Sequence, residues 1–403
     1  MSIWGRLTDK MEANYFYQNL YSWFDGYLPE SLDWLVYTLT AFVMVITVIN
    51  TLVITVALYS WFERRILARF QVRIGPNRWG PFGLFQPIAD LIKSLTKEDL
   101  LPVGSDKWVF RLAPVIMFVP VAMVLSVVPF GKNTFIADLN IGILFIIAVT
   151  SLNTIGIFMA GWASGNKYAM FGAMRGVAQL ISYEVPMVLS IVGVILLVSS
   201  LSMVDIVNNQ GIPFVLLQPL GAFVFLVAAS AEMGRAPFDI LEAESELVAG
   251  YQTEYSGLKY LLILQAEFSA PIVHSAVIAT LFLQGWRGPI LPSHLWFFLK
   301  TFLVVFLLLW VRATFPRLRV DQILGFAWKG LLPLAMINLF VIAIEVQIWP
   351  SPSTSQLWIM AGINWIVMIG SVVLISNILG QSKYKANSNV VNTELTVSVK
   401  EVE

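Results

Sequence analysis

The segment PFDILEAESELVAGYQTEYSG, residues 237–257, gathers Asp239, Glu242, Glu244, Glu246 and Glu254 in a chain that is 58% hydrophobic and only 12% charged. Two further acids, Glu184 in SYEVP and Glu267 in QAEFSAP, fall near the middle of long apolar runs. An ionised carboxylate there costs about 2.5–3.5 kcal/mol on insertion scales, so each must face protein or water, and each is a candidate for changing its protonation. The competing reading is a neutral carboxyl that hydrogen-bonds between helices for packing. His274 follows Glu267 at a spacing of seven residues, two helical turns along nearly the same face. It is either a proton-relay step or a hydrogen-bonded packing residue. Lys300 and Glu345 sit near the ends of their runs, where long side chains can snorkel.

If Pro237 opens a helix, as its fixed φ allows, spacings of three and four align Asp239, Glu242 and Glu246 on one wet stripe. Glu244 then projects among Ile240, Leu241, Leu247 and Val248, where desolvation and like charges make it the hardest of the group to ionise. A second constellation, WFERRILARFQVRIGPNRWGPFG, sets Arg64, Arg65, Arg69 and Arg73 beside Trp61, Phe62 and Phe70. Arginines near acids and aromatic walls can stack a planar ring and hold a carbonyl by hydrogen bonds. Ordinary flanking charge beside a membrane span accounts for part of the same run.

These side chains must be positioned by membrane helices. Mean hydropathy is +0.76, and the apolar runs give nine candidate spans, at roughly 34–59, 108–130, 139–164, 171–200, 214–233, 257–284, 295–315, 330–349 and 357–380. The expected fold is an all-α polytopic membrane protein: an external lead-in over 1–33, one transmembrane domain over 34–380, and a polar tail over 381–403. Lys and Arg concentrate in alternate connections, which sets the N-terminus outside and the C-terminus in the cytoplasm. The lead-in lacks the pattern of a cleavable signal, so the first span is expected to drive insertion. Loops 60–107 and 234–256 then share the cytoplasmic face. Within the first, LFQPIADLIKSLTKED repeats Ile88, Leu91, Ile92 and Leu95 at helical spacing, as an amphipathic helix lying in the interface plane or packed on a partner. Basic and acidic residues balance at 25 each, so no nucleic-acid partner is expected. With no cysteine, the chain can hold neither a disulfide nor a thiolate-ligated cluster.

ERRILARFQVRIGPNRWGPFGLFQPIADLIKSLTKE, GWASGNKYAMFGAMRGVAQLISYEVP and AEMGRAPFDILEAESELVAGYQTEYSGLKY closely resemble the motifs of one membrane subunit of bacterial NADH:quinone oxidoreductase, respiratory complex I, the counterpart of mitochondrial NADH dehydrogenase subunit 1. FLQGWRGPILP and RATFPRLRVDQILGFAWKGLLP continue the likeness, which covers roughly residues 35–349. The resemblance implies a subunit of the bacterial inner membrane at the junction with the hydrophilic arm. It would bind quinone as substrate near a partner's iron–sulfur cluster, hold no FMN, NAD, cluster or metal itself, and work beside antiporter-like pumps. Carried over by motif, Arg64, Arg65, Arg69, Phe238, Asp239, Glu242, Glu244 and Glu246 fall on quinone-chamber positions, with Arg235 among the charged groups around them. Glu184, Glu232, Glu254, Glu267 and His274 are the proton-coupling candidates, and no catalytic residue is assigned.

Three departures from the family pattern stand out. Ile240-Leu241 replaces a common Leu-Pro, which predicts a more regularly helical backbone after Asp239; the third span carries no carboxylate; and the ninth span looks accessory. The mechanism expected is that quinone reduction, taking two electrons and two protons in a low-dielectric chamber, perturbs nearby acids and passes free energy to pumping partners. The alternatives are the membrane subunit of an energy-converting hydrogenase and a secondary ion transporter. Against the latter, no internal repeat is visible.

Overall fold

The computed structural model describes residues 15–27, 32–241, 249–375 and 377. Among these the secondary structure is helical, without a β-strand. A short α1 (Tyr15–Asp25) lies against α2 (Asp33–Phe70). After a short amphipathic α3 (Gln86–Thr96) come α4 (Lys107–Val127), α5 (Gly142–Ala163) and α6 (Lys167–Val198). A two-turn α7 (Met203–Asn209) leads to α8 (Pro219–Glu232), α9 (Gly257–Phe282), α10 (Ser293–Thr314), α11 (Val320–Ile348) and α12 (Thr354–Ile375).

Eight of these helices are long and apolar enough to cross a bilayer, and α8, with 14 residues, is shorter. The fifth expected span, 214–233, is thus broken: one turn at Phe214–Leu217 stops at Gln218, and Pro219 starts α8. In hydrocarbon every backbone group must be bonded, so a break of this kind belongs inside the bundle. Gln218 is accordingly fully buried. α4, α6 and α9 each carry internal prolines, at Pro114 and Pro120, Pro186, and Pro271.

Hydropathy ends the first span at residue 59, but α2 continues to Phe70, so Arg64, Arg65 and Arg69 are helical residues and not part of a loop. The continuation is WFERRILARF, whose straight-chain Arg, Leu and Glu are good helix formers in water. α3 has the expected amphipathic form and no buried residue. The main core is built where α6 lies against α5, α8 and α11, with Tyr183, Met187, Phe225 and Ile323 among its buried side chains.

Pro237 does not open a helix. Residues 235–240 form a turn in which the amide of Phe238 donates to the Arg235 carbonyl, and the Ala236–Pro237 bond is cis. The backbone groups a helix would use are taken elsewhere. Gln179 Nε2 of α6 donates to the carbonyls of Ala231 and Phe238, and the Leu318 amide donates to that of Pro237. The regular helix expected after Asp239 is therefore absent at Ile240 and Leu241, and residues 242–248 lie outside the described part of the chain.

Candidate functional site

The site is a chain of buried charge at the arginine-rich end of the bundle. Its first member is Glu63, on the same face of α2 as buried Leu52, Val56 and Tyr59 and itself only 3% exposed. Arg235 Nη1, from the turn after α8, donates to Glu63 Oε1 at 3.1 Å, and Arg312, near the end of α10, pairs with the same oxygen. Arg235 Nη2 reaches Glu267 Oε1 of α9 at 3.4 Å, and its guanidinium lies over the Phe268 ring at 4.6 Å. Gln252 Nε2 donates to the other Glu267 oxygen at 3.3 Å, and Gln252 also contacts the Tyr251 hydroxyl. Two arginines thus share two carboxylates across α2, α9, α10 and the 235–240 turn. Burial makes each charge dependent on its partner, because removing one leaves an uncompensated ion away from water.

A second pair lies on the far side of Glu267. His274 Nε2 of α9 stands 3.3 Å from Glu232 Oε2 at the end of α8. His274 Nδ1 is 2.8 Å from the Ala270 carbonyl, which can only accept, so Nδ1 carries hydrogen. The contact on the other nitrogen therefore holds one proton, either as imidazolium with carboxylate or as imidazole with carboxylic acid. A cavity of about 60 Å³ is lined by this pair, by Glu267 and Tyr251, and by Thr150 and Asn153 of α5.

A far larger groove, about 900 Å³ and almost wholly apolar, runs along α2 from Met44 to Phe62. Its opposite wall is Ile272 and Ala276 of α9 and Phe298, Phe302 and Val305 of α10. It ends at Tyr59, Trp61 and Phe62, which immediately precede Glu63.

The other residues singled out by sequence occupy varied settings. Arg64 pairs with Asp90 at 2.6 Å and so ties α3 to α2, while Arg65 donates to the Phe82 carbonyl and stacks between Trp61 and Phe82. Arg69 is exposed one turn further on. Phe238 is buried edge-on against Tyr183, and Asp239 beside it is half-buried. Glu254 accepts from Asn166 Nδ2 at 2.7 Å, and the same Asn166 caps α6 through the Tyr168 amide, so Glu254 is joined to the α6 N-terminus and stands apart from the Glu63–Glu267 chain. Glu184 is half-buried on α6 and interacts electrostatically with Glu232. Glu242, Glu244 and Glu246, with the stripe geometry expected of them, lie outside the described residues.

Glu63, Arg312 and Gln252 are members of the site that motif and hydropathy do not single out. Glu63 has a signal, since 52, 56, 59 and 63 follow the helical period and make it the one acid on a buried stripe. Arg312 has none, being one more basic residue flanking a span. Glu345, expected to snorkel, is instead 4% exposed and accepts from Asn364 Nδ2 of α12 at 2.9 Å, because α12 packs across it.

The pattern of the NADH dehydrogenase family matches residues 43–343, a stretch that holds every member of both buried chains. The chain belongs to this family. It is 53% identical over 334 residues to the NADH-quinone oxidoreductase subunit designated H in Dehalococcoides mccartyi, covering 83% of this chain and 94% of that relative. It is similar also to the one designated H 2 in Geobacter sulfurreducens, 48% over 307 residues and 73% and 93% of the two chains. The corresponding protein of Anoxybacillus flavithermus is 50% identical over 293 residues, 71% and 88% of the two. The NADH dehydrogenase family assignment makes the protein a multi-pass membrane subunit of NADH:quinone oxidoreductase, working with other subunits of that enzyme complex. Among the described residues no group of three or more His, Cys, Asp or Glu side chains could hold a metal ion.

Proposed function

We propose that this chain binds quinone at the junction of the membrane and hydrophilic arms and couples its reduction to proton translocation. The observation that carries the reading is the apolar groove of about 900 Å³ that reaches Tyr59, one helical turn before Glu63 of the charged cluster with Arg235 and Arg312. An isoprenoid quinone has an apolar tail and a polar ring with two carbonyls. An apolar groove offers burial to the first, and the guanidinium groups next to Glu63, one helical turn beyond Tyr59, offer hydrogen-bond donors to the second. From Arg235 the charged chain continues through Glu267 towards Glu232 and His274, so a charge change at the groove end is felt by groups inside the bundle.

In this reading Arg64 and Arg65 hold α3 and the 80–83 turn at the chamber mouth, loops 60–107 and 234–256 frame its entrance, and Arg69, Phe238, Asp239, Glu242, Glu244 and Glu246 join them as quinone-binding residues. Glu184, Glu232, Glu254, Glu267 and His274 respond to quinone reduction by changing protonation or hydration. The arginine-rich end faces the bacterial cytoplasm, against the iron–sulfur and quinone-site subunits of the hydrophilic arm, and antiporter-like subunits of the inner membrane receive the free energy.

Two sets of variants in the intact complex test this. Thr51→Trp, which fills the groove from its exposed wall, is expected to raise KM for long-chain quinones more than for short-chain ones. Glu184→Gln, Glu244→Gln and Glu267→Gln are expected to lower proton pumping in complexes that still assemble. Unchanged KM in the first, together with full pumping in all three of the second, would refute the proposal.

A further inference from the structure

The large groove along α2 has two ends. The one at Tyr59 leads to the charged cluster, and the far one is built by Phe16 of α1, by Phe130, Phe135 and Ile136 of the connection after α4, and by Phe297 of α10. Most of that far wall is fixed in place. Phe130 lies edge-on to Phe297 with 5.6 Å between ring centroids, and Phe135 is buried. His294 Nε2 meets Thr134 Oγ1 at 3.0 Å, which ties the 131–134 turn to α10.

Phe16 is supported differently. Tyr21 of α1 is within electrostatic reach of Asp33 of α2, and Tyr17, one turn earlier on α1, is within reach of Tyr37, one turn later on α2. The two helices therefore run antiparallel, and α1 folds back along α2 until its first turn stands where the groove closes. Tyr17 is the buried anchor of this hairpin, stacked on Tyr21 at 5.8 Å, while Phe16 beside it is exposed and lines the groove. α1 precedes residue 43, where the family pattern begins, so motif reading gives Phe16 no role.

We propose that Phe16 is a specificity-determining residue that closes the far end of the groove and sets the longest isoprenoid tail able to lie straight in it. This rests on the quinone reading above and deepens it. From Met44 to Phe62 the α2 wall is about 27 Å long at about 1.5 Å per residue, so the groove has a definite length as well as an apolar lining. A quinone tail outside the groove is already among lipid chains, so apolarity alone does not favour one tail over another. Close fit does. Each unit that lies along the wall gains dispersion contacts, and the unit that reaches Phe16 must bend out towards the bilayer and forfeit them.

Quinones with one common ring and successively longer isoprenoid tails, assayed as substrates of the intact complex in lipid vesicles, read such a stop directly. In the wild type kcat/KM is expected to rise with each added unit and then to level at a limiting length. Phe16→Ala is expected to move that limit to a longer tail and Phe16→Trp to a shorter one. The ratio of kcat/KM between the two tails that flank the wild-type limit should change several-fold, in opposite directions in the two variants. Trp23→Ala, at an exposed position of the same helix that does not line the groove, is expected to leave the limit where it is. A limit unmoved in both Phe16 variants, a shift in the same direction in both, or a wild type without any limiting length would overturn the proposal. Should Phe16→Ala prevent assembly, Phe16→Leu against Phe16→Trp gives the same comparison. Thr51→Trp separates this inference from the reading beneath it. If that variant leaves the dependence on tail length untouched, the groove is not the seat of the tail and the quinone reading falls; if it alters the dependence and the Phe16 variants do not, only the stop falls.

Discussion

Arg235 donates to Glu63 at 3.1 Å across 172 positions of sequence, and both side chains are buried. With Arg312 on the same Glu63 oxygen, one carboxylate of α2 is shared by guanidinium groups from two other elements. Replacing it with a neutral side chain leaves half-buried Arg312 without this carboxylate and Arg235 with Glu267 alone. Glu63→Met is therefore expected to cost about 3–5 kcal/mol, the range for breaking a buried pair from one side. Loss of assembled complex, or a lower midpoint for heat inactivation, measures it. The double variant Glu63→Met/Arg312→Met should recover part of that loss, since it removes the stranded charge with its partner; equal or greater damage in the double would show that the pairing is not what matters.

The Arg64–Asp90 pair has shorter geometry, 2.6 Å, yet a smaller effect is expected. Its side chains are 44% and 29% exposed, and water and salt screen them. Asp90→Ala should lower stability by at most about 1 kcal/mol. The same small shift should follow raising the salt on the wild type, and no further shift should follow raising it on the variant. Thermal inactivation of the two complexes in low and high salt checks both statements.

Much of this architecture is legible in sequence, and the illegible part has a physical pattern. Long apolar runs mark spans because the bilayer demands them, and the 3.6-residue period of Ile88, Leu91, Ile92 and Leu95 marks α3 because that helix has one apolar face. Charge partners such as Glu63 with Arg235 and Arg312 are set by how helices pack, which hydropathy does not encode. Pro237 illustrates a local rule overruled by tertiary bonds: its backbone is suited to a helix start, but Gln179 and Leu318 take the groups around it. Glu345 illustrates the same for burial, since position within α11 suggests a wet end and only the placement of α12 removes it from water. Spacing puts His274 on the Glu267 face, and the structure gives it Glu232, a partner from another helix.

Gly250 tests how tightly the segment after the acidic stretch is held. It has φ +55°, a Cβ there would collide with the Leu241 carbonyl oxygen, and its own Cα lies 2.8 Å from the Cβ position of Gly172 on α6. Gly250→Ala is expected to cost at least the ~1–2 kcal/mol of a left-handed residue with a side chain, plus the displacement of Leu241. Since Gln252 hydrogen-bonds Glu267, quinone reductase activity should fall together with stability. Gly104→Ala is the control, because nothing lies within 4 Å of the Cβ position there. Comparable losses in the two variants would mean that the contact with Leu241 is not the cause.

The last helix depends on one polar contact in an apolar interface. Asn364 Nδ2 donates to Glu345 Oε2 at 2.9 Å, both residues are almost fully buried, and Met360 and Ala361 are buried on the same helix. Trp358, Ile366 and Ile369 of α12 face outward, while Leu357, Met360, Ala361, Met368 and Ile375 pack against the main core by apolar contacts, which leave Asn364–Glu345 as the polar one. Asn364→Leu removes the donor and leaves a buried carboxyl unbonded, at a cost of about 1–3 kcal/mol. The double variant Glu345→Leu/Asn364→Leu replaces both partners by apolar groups and should be nearly as stable as the wild type. Limited proteolysis in the 350–353 connection reads the difference: cleavage is expected to quicken in Asn364→Leu and to return towards the wild-type rate in the double. If the double is cleaved faster than the single variant, polarity at this contact is required for docking α12, and the exchange for apolar packing does not hold.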